Sequence, residues 1–401
     1  MDPIEVMDHI DDVRPYFQPV FNTEEYRVIG YEVLARMKVD GRDVSLAPFF
    51  LDPEIPSEYK WEVDQKIHDL AVKEMLSWGS DEKLFFNLDL QTLLDLDCVE
   101  ELMEAFQRYE KKGLSPERVV FEFRVAGFED QSDVTHMFLY MKATGFRISI
   151  DDIKLDDTNL DHFSKLEPTY LKIDLSDLRS GKDPNMYRDI LNALALFSRK
   201  IGATLHFTGI QEKYQLLNAW KYGGRYLQGF YLKMPMPERV EPLDVKPVLQ
   251  SHIHSFIVAR QGKLSKQIAF MKEIEQKLKK KGLPKQHDQL LRELTGIMDN
   301  ISFRMYISDD LGNQVSANWM KTTTNSWIAD ESARGKNWSW RTYFLDHIMQ
   351  MKYRNVGMLS DKYRDIKTNE FIRTYSYPLD EEYYLFIDID PSYLFEHDWL
   401  H

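Results

Sequence analysis

Short runs crowded with aromatic, β-branched and aliphatic residues recur through roughly the first 230 positions. They lie at residues 16–21, 27–37, 83–89, 118–123, 147–151, 170–174, 204–208 and 226–232. Between most of them run longer stretches whose apolar positions return every three or four residues. These are clearest at 63–78, 99–112, 133–144, 186–201 and 212–221, with the period of a helix buried on one face. Eight strand-like runs, mostly alternating with helices, predict an α/β chain folded as a (β/α)8 TIM-like barrel. Only residues 22–26 separate the first two runs. That is room for a hairpin but not for a crossover helix, so the first strand is expected to be antiparallel and the barrel irregular there.

Pro235, Pro237 and Pro242 end this pattern. A helical stretch, 248–281, follows, with apolar positions at Ile253, Phe256, Ile257, Leu264, Ile268, Met271, Ile274 and Leu278. Gly282-Leu283-Pro284 breaks it, and a second helix is expected over 286–299. From Ile301 the texture is that of short strands, at 303–306, 358–359, 371–377 and 383–388, punctuated by turns. The expected division is a barrel over 1–245, a helical linker over 246–300 and a small α+β domain over 301–401. The linker's apolar stripe packs either on its own barrel or on a partner helix, and the expected assembly is a homodimer.

Composition narrows the function. Lys and Arg number 51 against 65 Asp and Glu, a formal net charge of −14. No broad basic face for a DNA backbone is expected, although a local pocket can still take a small anion. The single cysteine, Cys98, excludes an intrachain disulfide and a cysteine metal site, and fits a reducing compartment. The acidic, polar N-terminus does not read as a signal peptide, and no apolar run approaches the roughly 20 residues of a membrane span. A soluble, cytoplasmic protein is the expectation.

Polar residues interrupt or end the apolar runs: Glu32, Asn87, Glu122, the pair Asp151-Asp152, and Lys172. In a barrel of this kind, groups at the C-terminal strand ends converge on one mouth. Carboxylates and an amide meeting there suit a hard divalent cation such as Mg²⁺, Mn²⁺ or Ca²⁺. Singly, each residue is equally well read as a strand-end cap; their recurrence on successive strands carries the metal reading.

These residues fall in a recognisable order. Gln18-Pro19-Val20, Glu32-Val33-Leu34-x-Arg36, Asn87, Glu122, Asp151-Asp152, Leu171-Lys172-Ile173-Asp174 and Gln228-Gly229 followed by Pro235 match, one after another, the motifs of the EAL domain. The chain therefore resembles the family that binds and often hydrolyses cyclic di-GMP. The resemblance implies that Glu32, Asn87, Glu122 and Asp151 ligate one divalent metal, Mg or Mn with Ca as a further candidate, and that Asp152 serves a second. It implies that Lys172 holds the attacking water, with Lys172, Glu32 and Asp151 central to catalysis. Gln18, Leu34, Arg36 and Gln228 would line the nucleotide site together with Glu32, Asp152 and Lys172. The family reaction opens one phosphodiester to give linear pGpG. The segment after 300 is similar to a PAS-like or Cache-like sensor.

Three departures touch the catalytic parts. The second glutamate of the E-x-T-E strand is Val125, the loop after the Asp-Asp pair has lost both glycines over Ile153–Asn159, and the glutamate expected near the second metal is Gln211. The expectation is thus a degenerate EAL domain that binds cyclic di-GMP and hydrolyses it slowly or not at all. The alternative is an active phosphodiesterase regulated by the C-terminal domain. In that domain, the run from Trp338 to Phe344 reads either as a pocket for an unknown small molecule with Arg341 gripping an anion, or as core plus a cation–π pair. Asp361, Tyr363, Arg373 and Tyr375 are candidates to join it.

Overall fold

The computed structural model describes residues 2–125, 131–153, 160–178, 184–281, 286–322, 324–341 and 343–400. The chain divides into two compact units, Met1–Phe256 and Ile257–His401, with the boundary inside the helix Lys246–Lys281.

In the first unit, strands β1 (Val13–Asn22), β2 (Arg27–Val39), β3 (Arg42–Ser45), β4 (Lys83–Leu88), β5 (Val119–Phe123), β6 (Arg147–Ile153), β7 (Tyr170–Asp174), β8 (Thr204–Thr208) and β9 (Tyr226–Leu227) form one sheet. Its order is β1-β9-β8-β7-β6-β5-β4-β2-β3, and a further pairing of β1 with β2 closes eight strands into a barrel, leaving β3 outside the ring. β1 runs antiparallel to both of its neighbours, as the short connection demands, while the other ring pairs are parallel. Parallel strands covered on the outside by helices are apolar on both faces. β5 accordingly is buried at every position.

The covering helices are Ser57–Trp78, Val99–Lys111, Gln131–Ala143, Leu160–Leu166, Pro184–Ile201 and Lys213–Lys221. Between helices and strands, Phe106 meets the rings of Phe86, Phe121 and Phe146 edge-on. Sequence periodicity passed over the short Leu160–Leu166 helix and the β2–β3 hairpin. That hairpin turns through Asp40 and Gly41, both at positive φ (48° and 78°), the backbone of a type I′ turn. The run expected over 226–232 pairs only at Tyr226–Leu227, and the chain then turns away.

In the second unit, β10 (Ser302–Asp309), β11 (Asn318–Lys321), β12 (Trp327–Asp330), β13 (Met358–Leu359), β14 (Tyr363–Arg364), β15 (Phe371–Ile372), β16 (Thr374–Pro378) and β17 (Tyr383–Ile389) make a six-stranded antiparallel sheet, β12-β11-β10-β17-β16-β13, and a separate β14–β15 pair. Strand alternation sorts its two faces. Met305, Ile307, Leu385 and Ile387 pack with Leu290, Leu291 and Leu294 of the helix His287–Met298. Tyr306, Tyr384 and Phe386 point the other way and pack with Phe344, Ile348 and Met351 of the helix Phe344–Arg354.

Candidate functional site at the barrel mouth

Strand register assembles the site. Antiparallel pairing sets Gln18 opposite Glu32, and parallel pairing sets Asn87 beside Glu122 and Lys172 beside His206. Glu32, Glu122 and Asp151 each offer a carboxylate oxygen within 4.8 Å of the others. Lys172 lies among them, with Nζ 2.6 Å from Glu122 Oε2, 3.1 Å from Glu32 Oε2 and 3.6 Å from Asp151 Oδ1. Asn87 Nδ2 donates to Glu32 Oε1 at 2.8 Å, and Gln228 Nε2 donates both to Glu32 Oε2 at 2.6 Å and to Gln18 Oε1 at 3.0 Å.

The electrostatics follow from burial and this geometry. Burial pushes the Glu32 carboxyl up, but Lys172 and the donors Asn87 and Gln228 outweigh it and hold the group down at about 2. Glu122 meets the same burial and the same lysine, but also the negative charges of Glu32 and Asp151, and is pushed up to about 8. Asp151 is raised as well, mainly by burial. Three buried carboxylates face one ammonium, so with all three ionised the cluster carries two uncompensated negative charges. That charge is what a single divalent cation supplies. Glu122 Oε1 is buried without a hydrogen-bond partner, an oxygen left over for a ligand. The donor set is all hard oxygen, and it fits a divalent metal.

Two contiguous cavities open onto this cluster. One, of about 310 Å³, is lined by Glu32, Leu34, Arg36, Asn87, Glu122 and Asp151 among others. Arg36 is oriented there by Nη1 bonds to Ala35 O (2.9 Å) and Ser45 Oγ (3.1 Å), and its guanidinium lies over the Tyr16 ring. The other, of about 450 Å³, is lined by Gln18, Asp152, Lys172, Asp174, Gln211 and Gln228 among others. Gly209 borders it at φ 65°, where an added Cβ would fall 2.1 Å from Asp174 Oδ1, so only glycine keeps this wall in place.

The structure thus brings together Gln18, Glu32, Asn87, Glu122, Asp151, Lys172 and Gln228, with Leu34 and Arg36 on the adjoining wall. Asp152 is set apart. It adopts a left-handed backbone (φ 57°), stands outside the carboxylate cluster and faces Arg124 Nε at 3.9 Å. Of the departures, Val125 is packed in the barrel core and Gln211 lies exposed at the cleft. The altered loop, residues 154–159, lies outside the described residues. Sequence reasoning missed two neighbours. Arg124 borders both cavities. His206 is fully buried beside Lys172, and burial with that positive charge pushes its imidazole down to about 3. A histidine inside an otherwise apolar strand was the available signal.

The EAL domain model matches residues 5–235, and a model described as an EAL-domain associated signalling protein domain matches residues 240–401. The chain belongs to the EAL-domain family. It is 40% identical over the whole length of both chains to the uncharacterized EAL-domain containing protein YkuI of Bacillus subtilis. The crystal structure of that protein, in complex with substrate cyclic di-GMP and calcium, superposes on all of this chain with a TM-score of 0.91. The probable cyclic di-GMP phosphodiesterase PdeG of Escherichia coli is 26% identical over 56% of this chain and 45% of its own length. The phosphodiesterase of Pseudomonas MucR, 21% identical with a TM-score of 0.53 over 59% of this chain, shares the fold of the EAL domain. No described helix is long and apolar enough to cross a membrane.

Proposed function

We propose that the barrel binds cyclic di-GMP together with a divalent metal and hydrolyses it slowly or not at all. The observation that carries the reading is the cluster of Glu32, Glu122 and Asp151 around Lys172 beside two cavities, in a chain whose full-length relative is bound to cyclic di-GMP and calcium. Glu32, Glu122, Asp151 and the Asn87 amide would hold the metal, with Mg²⁺ or Mn²⁺ the proposed ions alongside Ca²⁺. A bound divalent cation supplies Lewis acidity toward a phosphodiester oxygen. Arg36 offers a fixed guanidinium to phosphate, while Gln18 and Gln228 offer amides to the nucleotide.

Support for weak turnover lies in the departures from the family pattern. Asp152 faces a guanidinium, Gln211 carries no charge, and Val125 cannot accept a hydrogen bond. Losing interactions that act only in the transition state removes rate while sparing affinity. The intact cluster around Lys172 favours a second reading, an active phosphodiesterase. We further propose that residues 301–401 act as a PAS- or Cache-like ligand-binding domain, and that the chain dimerises through the exposed apolar positions Ile257, Leu264 and Ile268 of the linker helix. The test of the barrel reading is calorimetric titration with cyclic di-GMP in Ca²⁺ and in EDTA. Saturable binding that is weakened in EDTA and in Glu32→Gln supports it, and binding indifferent to both refutes it.

A further inference from the structure

One arginine of the C-terminal unit is folded against aromatic rings without a counter-charge. Arg341 lies with its guanidinium 4.7 Å from the centre of the Trp338 ring and 6.0 Å from that of Tyr363. Its Nη1 donates to the hydroxyls of Tyr306 (3.3 Å) and Tyr343 (3.0 Å). Among the described residues, no carboxylate pairs with it, and its Nε and Nη2 hydrogens have no protein acceptor. The nearby buried acid, Asp388, is already engaged by Arg304 Nε at 2.5 Å, and that arginine's Nη2 takes Asp365 at 2.6 Å.

The surroundings carry further unpartnered polar atoms. Tyr306 is buried, its hydroxyl oxygen accepts from Arg341, and its own proton has no acceptor among the described residues. His347, nine-tenths buried and 5.2 Å ring-to-ring from Tyr343, has an Nδ1 with no partner. Arg341, Trp338, Tyr343 and Tyr363 all remain partly exposed, so a solute can reach the guanidinium. The helix Phe344–Arg354 starts here, with the Phe344 N–H donating to Arg341 O at 2.9 Å, and its positive end favours the same sign of ligand. A charge withdrawn from water needs a partner.

We propose that Arg341, with the hydroxyl of Tyr306 and the face of Trp338, forms a binding site for a small organic carboxylate. One guanidinium fork matches one carboxylate, and flat aromatic walls favour an organic anion over a bare inorganic one. A phosphate dianion would call for a second cation, and the nearby Arg304 is already taken by Asp365 and Asp388. The site also leads inward. Tyr343 donates to Tyr363 at 3.5 Å, Tyr363 and Thr374 share a hydrogen bond of 2.7 Å, and Thr374 donates to Asp388 at 2.6 Å. An occupant at Arg341 is therefore joined by hydrogen bonds to the central strands β10, β16 and β17. This deepens the reading of the unit as a ligand-binding domain and does not depend on what the barrel binds.

The test is calorimetric titration of the full-length protein, without nucleotide, using sodium benzoate and sodium acetate, with sodium chloride and inorganic phosphate at matched ionic strength as controls. Saturable binding of benzoate is expected, tighter than phosphate. Arg341→Gln should weaken it roughly tenfold or more, and Arg341→Lys, which keeps the charge but not the fork, less than that. Should Arg341→Gln fail to fold, Tyr306→Phe removes the hydroxyl with the unused proton, leaves the charge, and should weaken binding measurably. The proposal is overturned if neither carboxylate saturates the wild-type protein, if phosphate binds more tightly than both, or if the variants bind benzoate as the wild type does. Cyclic di-GMP binding measured in the same preparation separates failure of this site from failure of the barrel.

Discussion

The barrel mouth and the C-terminal sheet both bury clusters of charge, and the two are unbalanced in opposite senses. At the mouth, one lysine stands among three carboxylates. In the sheet, Arg304 is matched by Asp365 and Asp388, while Arg341 and Arg373 have no carboxylate partner among the described residues. Arg373 donates instead to the carbonyls of Ser360 (2.7 Å) and Leu400 (3.0 Å). Buried ion pairs contribute little net stability, because desolvation offsets most of the attraction. What distinguishes the two clusters is the charge each leaves over: negative at the mouth, suited to a metal ion, and positive beside Trp338, suited to an anion.

The largest expected effect removes the one cation held between two aspartates of the C-terminal cluster. Arg304→Ala leaves two buried aspartates facing each other and should cost about 3–5 kcal/mol. Denaturant unfolding followed by tryptophan fluorescence reports it, since Trp319, Trp327, Trp338, Trp340 and Trp399 all belong to this unit.

Acid should next separate the two units. His68, against the rings of Phe86 and Phe106, is pushed down to about 4 by burial. Once unfolded, it takes up a proton below its ordinary value near 6.5. Its contribution to barrel stability is therefore complete above that pH and is lost as pH falls toward 4, by roughly 3 kcal/mol. Asp365 is buried, but Arg304 holds its carboxyl below the ordinary range, so that ion pair persists through the same window. Thermal unfolding between pH 7 and 4, comparing wild type with His68→Phe, checks this: the variant should flatten the barrel's acid dependence.

Glu122→Gln sharpens the claim about sign. It removes a carboxyl that would ionise to hold the cation, and should weaken Ca²⁺ binding by roughly 10–100-fold, with calorimetry as the measure. The smallest effect is expected at Arg124. It is half exposed and 3.9 Å from Asp152, so Arg124→Ala should change cyclic di-GMP affinity by less than about tenfold.

Much of the barrel was legible because each strand is a compact apolar run and its chemistry interrupts that run. Glu32, Asn87, Glu122, Asp151 and Lys172 announced themselves in this way, and register then brought them together. The β2–β3 hairpin was readable from Asp40-Gly41 but is short and exposed, with no apolar run to mark it. The C-terminal unit was harder. Its charge cluster joins positions 304, 365 and 388, whose proximity depends on strand order rather than local pattern. The run expected over 371–377 is split at Arg373, whose side chain reaches two distant carbonyls. The dense aromatics masked the helix Phe344–Arg354. Of the four residues considered as partners for Arg341, only Tyr363 reaches it. Tyr375 belongs to the opposite face of the sheet, in the core with Leu290 and Leu294, because strand alternation turns it away from Thr374.

The most direct test of the central claim is incubation of the purified protein with cyclic di-GMP and Mg²⁺ or Mn²⁺, with linear pGpG followed by anion-exchange chromatography beside a binding titration. The account expects metal-dependent binding with little or no pGpG over many binding lifetimes. Rapid metal-dependent release of pGpG, abolished by Glu32→Ala or Lys172→Ala, would contradict it and establish an active phosphodiesterase.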